Sequence, residues 1–150
     1  MIRELPGEEL ARHVQVACPG AVERWEGLCL WVKPERVLEV CQTLKETPGM
    51  GFNLLNAISA VDYVEYFEVV YHLTSTAHLH SAVLKAKVYG REEPSLPSVV
   101  GLWLGADFQE REVWDLMGVK FLGHPNLKRI LLWEGYPGHP LRRDYLEAPR

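Results

Sequence analysis

Apolar residues recur at helical intervals in three separate segments of the chain. The first segment follows a proline and predicts a helix near residues 7–17. The second also begins at a proline and predicts a helix over residues 34–47. The third runs from residue 99 to residue 117 with a break near Gly105, and it predicts a helix near residues 106–117. Gly118 stands where a left-handed residue would end that helix.

The middle of the chain has the composition of strands. Three segments rich in β-branched and aromatic residues, 52–62, 67–74 and 82–89, are separated by short polar stretches. This pattern predicts antiparallel strands. Residues 21–31 predict two further short strands that are joined by a tight turn at Glu26-Gly27.

Glycine, proline and charged residues dominate from Gly123 onward. We therefore expect residues 1–122 to form a folded body and residues 123–150 to form an irregular C-terminal tail that docks on a partner. Since no repeat divides the chain, these elements predict one α+β domain, in which helices cover an antiparallel or mixed sheet.

Composition supports a single globular domain. The chain has 150 residues, of which 47% are apolar and 24% charged, as in ordinary soluble domains. Its longest uninterrupted apolar run, residues 99–106, is far too short to span a membrane, so we expect membrane association only through a partner. Three cysteines without close spacing predict a reducing, cytoplasmic environment.

The charge distribution disfavours nucleic acid as a partner. The net charge is −4, which gives no global positive field to hold a polyanion. Residues 120–150 nevertheless contain six basic and three acidic residues, a net charge of +3. We expect this basic end to dock on an acidic protein surface.

Motifs for known chemistry are missing from the sequence. It contains no dinucleotide-binding glycine motif, phosphate-binding loop, nucleophile elbow or zincin helix. His78 and His80 share one face if they lie on a strand, but two ligands do not complete a metal site. We expect neither a cofactor nor a metal.

The densest group of charges lies in the third predicted helix. Helical spacing places Glu110 on an otherwise apolar stripe, whereas Asp107, Arg111 and Asp115 share a second stripe that we interpret as solvated. A carboxylate on an apolar face needs a cation or several hydrogen-bond donors, because burial without partners is costly.

Glu110 and Asp115 are also the candidate pair for general acid–base catalysis. They are five positions apart, which separates them by about 140° around a helix, so the two carboxylates diverge. A small free-standing enzyme that uses Glu110 remains the alternative. A charged surface that meets another protein is the favoured interpretation.

Basic and aromatic residues that could form such a surface accumulate towards the C-terminus. Arginine pairs with carboxylates, and large aromatic side chains anchor interfaces. The basic candidates are Arg111, Lys128, Arg129, Arg142 and Arg143. The aromatic candidates are Trp103, Trp114, Trp133, Tyr136 and Tyr145.

Three stretches of the C-terminal half, 107–118, 123–131 and 138–145, form a recognisable pattern. Its signature positions are Glu110, Arg111, Glu112, Asp115, Leu116, Met117, His124, Lys128, Ile130 and Leu131. This pattern resembles the 30 kilodalton subunit family of respiratory complex I, the bacterial NADH:quinone oxidoreductase, without a departure at any signature position. The resemblance covers roughly residues 50–145.

The resemblance implies an α+β subunit of the hydrophilic arm, peripheral to the cytoplasmic face of the membrane. Such a subunit has no flavin, iron–sulfur cluster or catalytic residue, and it binds the large subunit that helps to form the quinone site and other subunits of that arm. It supports electron transfer that is coupled to ion translocation. The interface residues that we predict are Glu110, Arg111, Glu112, Asp115, His124, Lys128, Arg129, Arg142, Arg143, Asp144 and Tyr145.

The resemblance does not determine which type of complex contains this subunit. Related short subunits occur in membrane-bound nickel–iron hydrogenases and in ferredoxin-fed complexes that share this module. Many family members continue well past the Leu141–Tyr145 stretch, whereas this sequence ends at Arg150. That difference slightly favours a compact or ancestral-type complex, although the bacterial quinone-reducing enzymes are the commoner case.

Overall fold

The computed structural model describes residues 1–145. Its three α-helices are α1 (Gly7–Ala17), α2 (Val37–Glu46) and α3 (Ala106–Met117). A 3₁₀ turn, Pro34–Arg36, leads into α2. Each helix buries an apolar side, which includes Leu10 and Val14 in α1, Val40 and Leu44 in α2, and Val113 and Met117 in α3.

The strands, in chain order, are β1 (Arg3–Glu4), β2 (Val22–Glu26), β3 (Cys29–Val32), β4 (Leu54–Asp62), β5 (Phe67–Ser75), β6 (His80–Val88), β7 (Ser95–Pro97) and β8 (Lys120–Leu122). The main sheet has the order β2-β3-β6-β5-β4, and β1 also pairs with β6. β7 and β8 form a separate parallel pair.

One face of the main sheet carries the core. Alternate residues of β5, among them Phe67, Val69 and Tyr71, join buried residues of all three helices in one hydrophobic cluster. The opposite face mixes charged residues, such as Glu68 and Lys85, with apolar ones, such as Val70. There Trp31 donates a hydrogen bond from Nε1 to Glu68 at 3.0 Å, and the Arg24 guanidinium lies 4.2 Å from the centre of the Trp31 ring.

The predicted α+β class, with a sheet covered by helices, is confirmed. The sheet is mixed, since β3 and β1 both run parallel to β6. Residues 99–105 form turns, so the third helix begins at Ala106. The short strands β1, β7 and β8 were not predicted, because two or three residues give no readable alternation.

Residues 123–145 contain no helix or strand. This segment lies against the C-terminal end of α3 and returns towards the end of β4. The last five residues of the predicted tail, 146–150, lie outside the described residues.

Candidate docking surface

The C-terminal end of α3 is capped by the tail. The last carbonyls of a helix have no partner within the helix, and they carry partial negative charge. Here the Leu116 carbonyl accepts the Leu141 amide at 2.9 Å, and the Met117 carbonyl accepts Arg142 Nε at 2.6 Å. Two distant tail residues thus satisfy the last turn of the helix.

The Asp115 carbonyl belongs to the same cap. It accepts a hydrogen bond from Arg129 Nη1 at 2.9 Å, and His139 Nδ1 lies 2.9 Å from it. Because a carbonyl only accepts, Nδ1 of His139 must carry the proton. Burial lowers the pKa of His139, which favours the neutral ring in this contact.

The Asp115 side chain binds the beginning of the tail. Its Oδ2 accepts the amides of Ile130, Leu131 and Leu132 at 3.1, 2.7 and 2.9 Å, and Oδ1 accepts Arg129 Nη1 at 2.8 Å. Burial opposes ionisation, but the guanidinium and the three amides outweigh it and hold the pKa of Asp115 below its usual range. Asp115 is fully buried, so its assignment to a solvated stripe is wrong.

Gly118 allows the tail to approach this closely. It ends α3 in the left-handed conformation, with φ 75°. A Cβ atom at this position would lie 2.6 Å from Arg142 Nη2 and 2.6 Å from His139 Cδ2. The glycine therefore provides both the turn and the space for the tail residues.

A second carboxylate, Asp62 at the end of β4, holds the other end of the tail. It accepts two hydrogen bonds from Arg91, at 2.6 and 2.9 Å, and the Arg143 amide at 2.9 Å. Arg91 is also 2.9 Å from Asp144. The hydrogen bond from Arg91, which outweighs burial, keeps the pKa of Asp62 well below its usual range.

Glu110 is satisfied inside the chain by neutral groups. Its two oxygens accept the Ser98 hydroxyl at 2.5 Å and the Val99 amide at 2.9 Å. Burial raises the pKa of Glu110, and these two hydrogen bonds counteract the rise only in part. The carboxylate is fully buried, which argues against the alternative of an enzyme that uses Glu110 on an external substrate.

His124 and Arg111 also face their own chain. The His124 side chain is buried, with Nε2 3.0 Å from Asp107 Oδ1. Arg111 donates to the carbonyls of Lys128 and Arg129 at 3.1 and 3.2 Å. Both residues thus fix the tail against the outer side of α3.

The predicted interface residues consequently fall into two groups. The buried or half-buried residues that form contacts within the chain are Glu110, Arg111, Asp115, His124, Arg129 and Arg142. Their polar groups are engaged within the chain, and their role at a partner interface stays a prediction. The exposed residues are Glu112, Lys128, Arg143 and Asp144, while Tyr145 is half-buried.

The aromatic candidates divide in the same way. Trp103 is buried and donates from Nε1 to the Phe52 carbonyl at 3.1 Å, so its prediction as an exposed anchor is wrong. Trp133 is 64% exposed and contacts Tyr136 edge-on, with ring centres 5.2 Å apart. The Tyr136 hydroxyl lies 2.7 Å from the Tyr145 hydroxyl.

Sequence reasoning missed Asp62 and Arg91. Asp62 and Arg143 are 81 positions apart, and no local pattern predicts a contact at that separation. The one available signal was an acidic residue at the end of an apolar strand, which suits a buried ionic contact.

The histidine pair 78 and 80 lies at the beginning of β6. The His78 and His80 rings lie 5.5 Å apart, and His80 Nε2 is 2.7 Å from the Met50 carbonyl. Within residues 1–145, no group of three or more potential ligand side chains is placed to hold a metal ion. In the same part of the chain, no helix has the length and apolar character needed to cross a membrane.

The fold and these contacts define a class of protein. It is an α+β domain in which buried carboxylates fix an irregular segment, and that segment carries exposed basic, aliphatic and aromatic side chains. Exposed aromatic and basic side chains on an ordered segment are features of a binding surface.

Comparison with known proteins identifies the family. The model of the respiratory-chain NADH dehydrogenase 30 Kd subunit family matches residues 30–150. An NADH-quinone oxidoreductase subunit of Roseiflexus sp. (strain RS-1) is 42% identical over 140 residues, which cover 91% of this chain and 80% of that protein. The chain belongs to the 30 kDa subunit family, as the motif predicted.

Two further similarities describe the range of relatives. An NADH-quinone oxidoreductase subunit of Rhizobium etli (strain CIAT 652) is 44% identical over 117 residues, which cover 76% of this chain but 62% of that longer protein. A chain in the structure of the membrane-bound sulfane sulfur reductase, an archaeal respiratory membrane complex, superposes with a TM-score of 0.74 at 25% identity. That match covers 93% of this chain and 85% of the other.

Proposed function

We propose that the chain is a non-catalytic assembly subunit in the hydrophilic arm of a complex I-type NADH:quinone oxidoreductase. It docks on the large subunit that helps to form the quinone site, at the cytoplasmic face of the membrane. By holding that subunit in place, it supports electron transfer coupled to ion translocation.

The observation that carries this proposal is the way the tail is held. Asp115 and Asp62 bind the tail at its two ends, 130–132 and 143, through contacts inside the chain. Lys128 and Trp133 remain directed to the outside. A segment fixed in this way loses little conformational entropy on docking, which favours a role as a binding surface.

Affinity purification of the tagged chain from its native host tests the proposal. We expect the large quinone-site subunit to co-purify, together with NADH-binding flavoprotein subunits of the same complex. Recovery of the chain alone from detergent-treated membranes, under conditions that keep the complex intact, would contradict the proposal. Binding to a nucleic-acid oligomer is not expected at physiological salt.

A second candidate is the equivalent subunit of a hydrogenase or of another respiratory membrane complex. The similarity to a chain of the sulfane sulfur reductase complex, which covers 93% of this chain, supports this second candidate. The same purification separates the two candidates: a nickel–iron large subunit in place of the flavoprotein indicates a hydrogenase.

A further inference from the structure

The cations of the tail are used in two different ways. Arg129 donates to Asp115 and to the carbonyls of Tyr136 and Gly138, at 2.7 and 2.8 Å. Arg142 donates to the Met117 and Arg91 carbonyls. These two guanidinium groups therefore build the shape of the tail.

Lys128 and Arg143 are exposed cations. Neither takes part in an ion pair with another of the described residues, 1–145. The exposed acid nearest to Trp133 in sequence is its direct neighbour, Glu134. With respect to residues 1–145, Lys128 and Arg143 are thus available for carboxylates of another protein.

Trp133 differs from Trp31, the tryptophan on the face of the main sheet opposite the core. Trp31 is only 8% exposed, because Arg24 and Lys85 lie over its ring, at 4.2 and 5.0 Å from the ring centre. Trp133 keeps 64% of its surface exposed. The chain shields one indole with its own cations and leaves the other uncovered.

The backbone next to Trp133 is fixed. The three preceding amides all donate to Asp115 Oδ2, and Tyr136 supports the indole from one side. Leu131, two residues away, is 59% exposed. A large aromatic side chain on an ordered backbone, with an aliphatic neighbour, has the properties of an interface anchor.

We infer that Trp133 is the anchor of the docking surface and enters an apolar recess of the large subunit that is rimmed by carboxylates. Lys128 meets that rim. Charge complementarity argues for an acidic rim, since among the exposed residues of the described tail two cations, Lys128 and Arg143, but one acid, Glu134, are outside the ion pairs of residues 1–145. The inference rests on the proposed function, because it names the chemistry of the same partner.

The test is titration of the complete chain with the separately expressed large subunit from the same organism. Trp133→Ala is expected to weaken binding at least about 30-fold, as an anchor residue does. Trp25→Ala is the matched control, since Trp25 is 46% exposed but lies on β2, away from the tail. This control should change the dissociation constant less than about twofold.

The charge of the rim is tested separately. Lys128→Glu should weaken binding about 10-fold at low salt and less at high salt, because the interaction is screened. Lys33→Glu, at another exposed lysine outside the tail, should leave binding unchanged. Equal losses for the two variants would mean that only net charge matters, which overturns an acidic rim specific to Lys128.

The outcomes separate the inference from the proposed function. If the wild-type chain does not bind the large subunit, the proposed function fails. If the wild-type chain binds and Trp133→Ala binds equally well, the inference fails and the proposed function stands. If circular dichroism shows that Trp133→Ala is unfolded, Trp133→Leu gives the same test with a smaller truncation, since the amides of residues 130–132 still donate to Asp115.

Discussion

Asp115 shows how one buried residue can organise a segment without regular structure. Taking a carboxylate out of water is costly unless donors replace the lost hydration. The Asp115 carboxylate accepts hydrogen bonds from one guanidinium and from three successive amides of the tail. These tail amides thus have the acceptor that a helix or strand would otherwise supply. The sequence predicted a solvated acid at a partner interface and not a buried one, because the covering tail is remote from the helical pattern.

Glu110 should matter to the isolated chain. Glu110→Ala removes the acceptors of the Ser98 hydroxyl and the Val99 amide and leaves a void, so we expect a loss of about 2–4 kcal/mol in the free energy of unfolding. Chemical denaturation of the isolated chain measures this loss. Glu110→Gln is the control and should lose much less, because the Ser98 hydroxyl can turn to accept from the amide.

The pH dependence of this pair of variants has a definite sign. Because the folded-state pKa of Glu110 is raised, its contribution to stability is present at low pH and is lost as the pH rises through that value. The wild-type chain should therefore lose stability with rising pH relative to Glu110→Gln. A constant difference between the two across the pH range would contradict the burial of an ionisable carboxylate here.

Arg142 and Arg143 are neighbours in sequence with opposite expected roles. Arg142→Ala removes donors to the Met117 and Arg91 carbonyls and should cost about 1–3 kcal/mol, or roughly 3–8 °C in the melting temperature. Arg143→Ala keeps the amide bond to Asp62 and should change the melting temperature by no more than about 2 °C. Thermal melting of the isolated variants measures both, and equal losses would contradict this division. From the sequence alone, both arginines are predicted to contact the partner.

At the scale of the element, α3 depends on the tail for its C-terminal cap. Gly118→Ala should introduce backbone strain and also push Arg142 and His139 away from the helix end. Gly123→Ala is a matched control, because Gly123 has a similar φ of 84° but open space around its Cβ position. We expect Gly118→Ala to lower stability by about 1–2 kcal/mol more than Gly123→Ala in denaturant unfolding. Equal losses would show that only the left-handed backbone matters.

Periodicity predicts an element well when the burial of its residues follows the alternation in its own sequence. It predicts an element less well when remote residues cover the side that would otherwise be exposed. Strand β6 alternates buried and half-buried residues along its whole length, and the sequence predicts it nearly to its ends. Strand β5 is buried on both faces except at His72, so alternation could not show that Glu68 pairs with Trp31. The parallel pairing of β3 with β6 also joins segments about 54 positions apart, which no local signal encodes.

At the scale of the molecule, two acids of lowered pKa hold the tail, so its attachment should fail in acid. The stability that Asp62 and Asp115 supply is present above their unfolded pKa of about 4 and is lost as the pH falls through their lower folded values. Asp62→Asn should therefore flatten the decline of stability below about pH 4. Unfolding followed by circular dichroism from pH 6 to pH 2 measures this effect. An unchanged slope in Asp62→Asn would contradict it.

The central claim is that the tail is already ordered in the free chain and forms the face that meets the large subunit. Hydrogen exchange of the free chain and of its complex with that subunit tests both parts in one measurement. We predict that the amides of residues 130–132 are protected in the free chain, and that binding adds protection within 123–145 but not along β2 and β3. Free-chain exchange at 130–132 as fast as in an unfolded peptide, or new protection on β2 and β3 in place of the tail, would contradict the account.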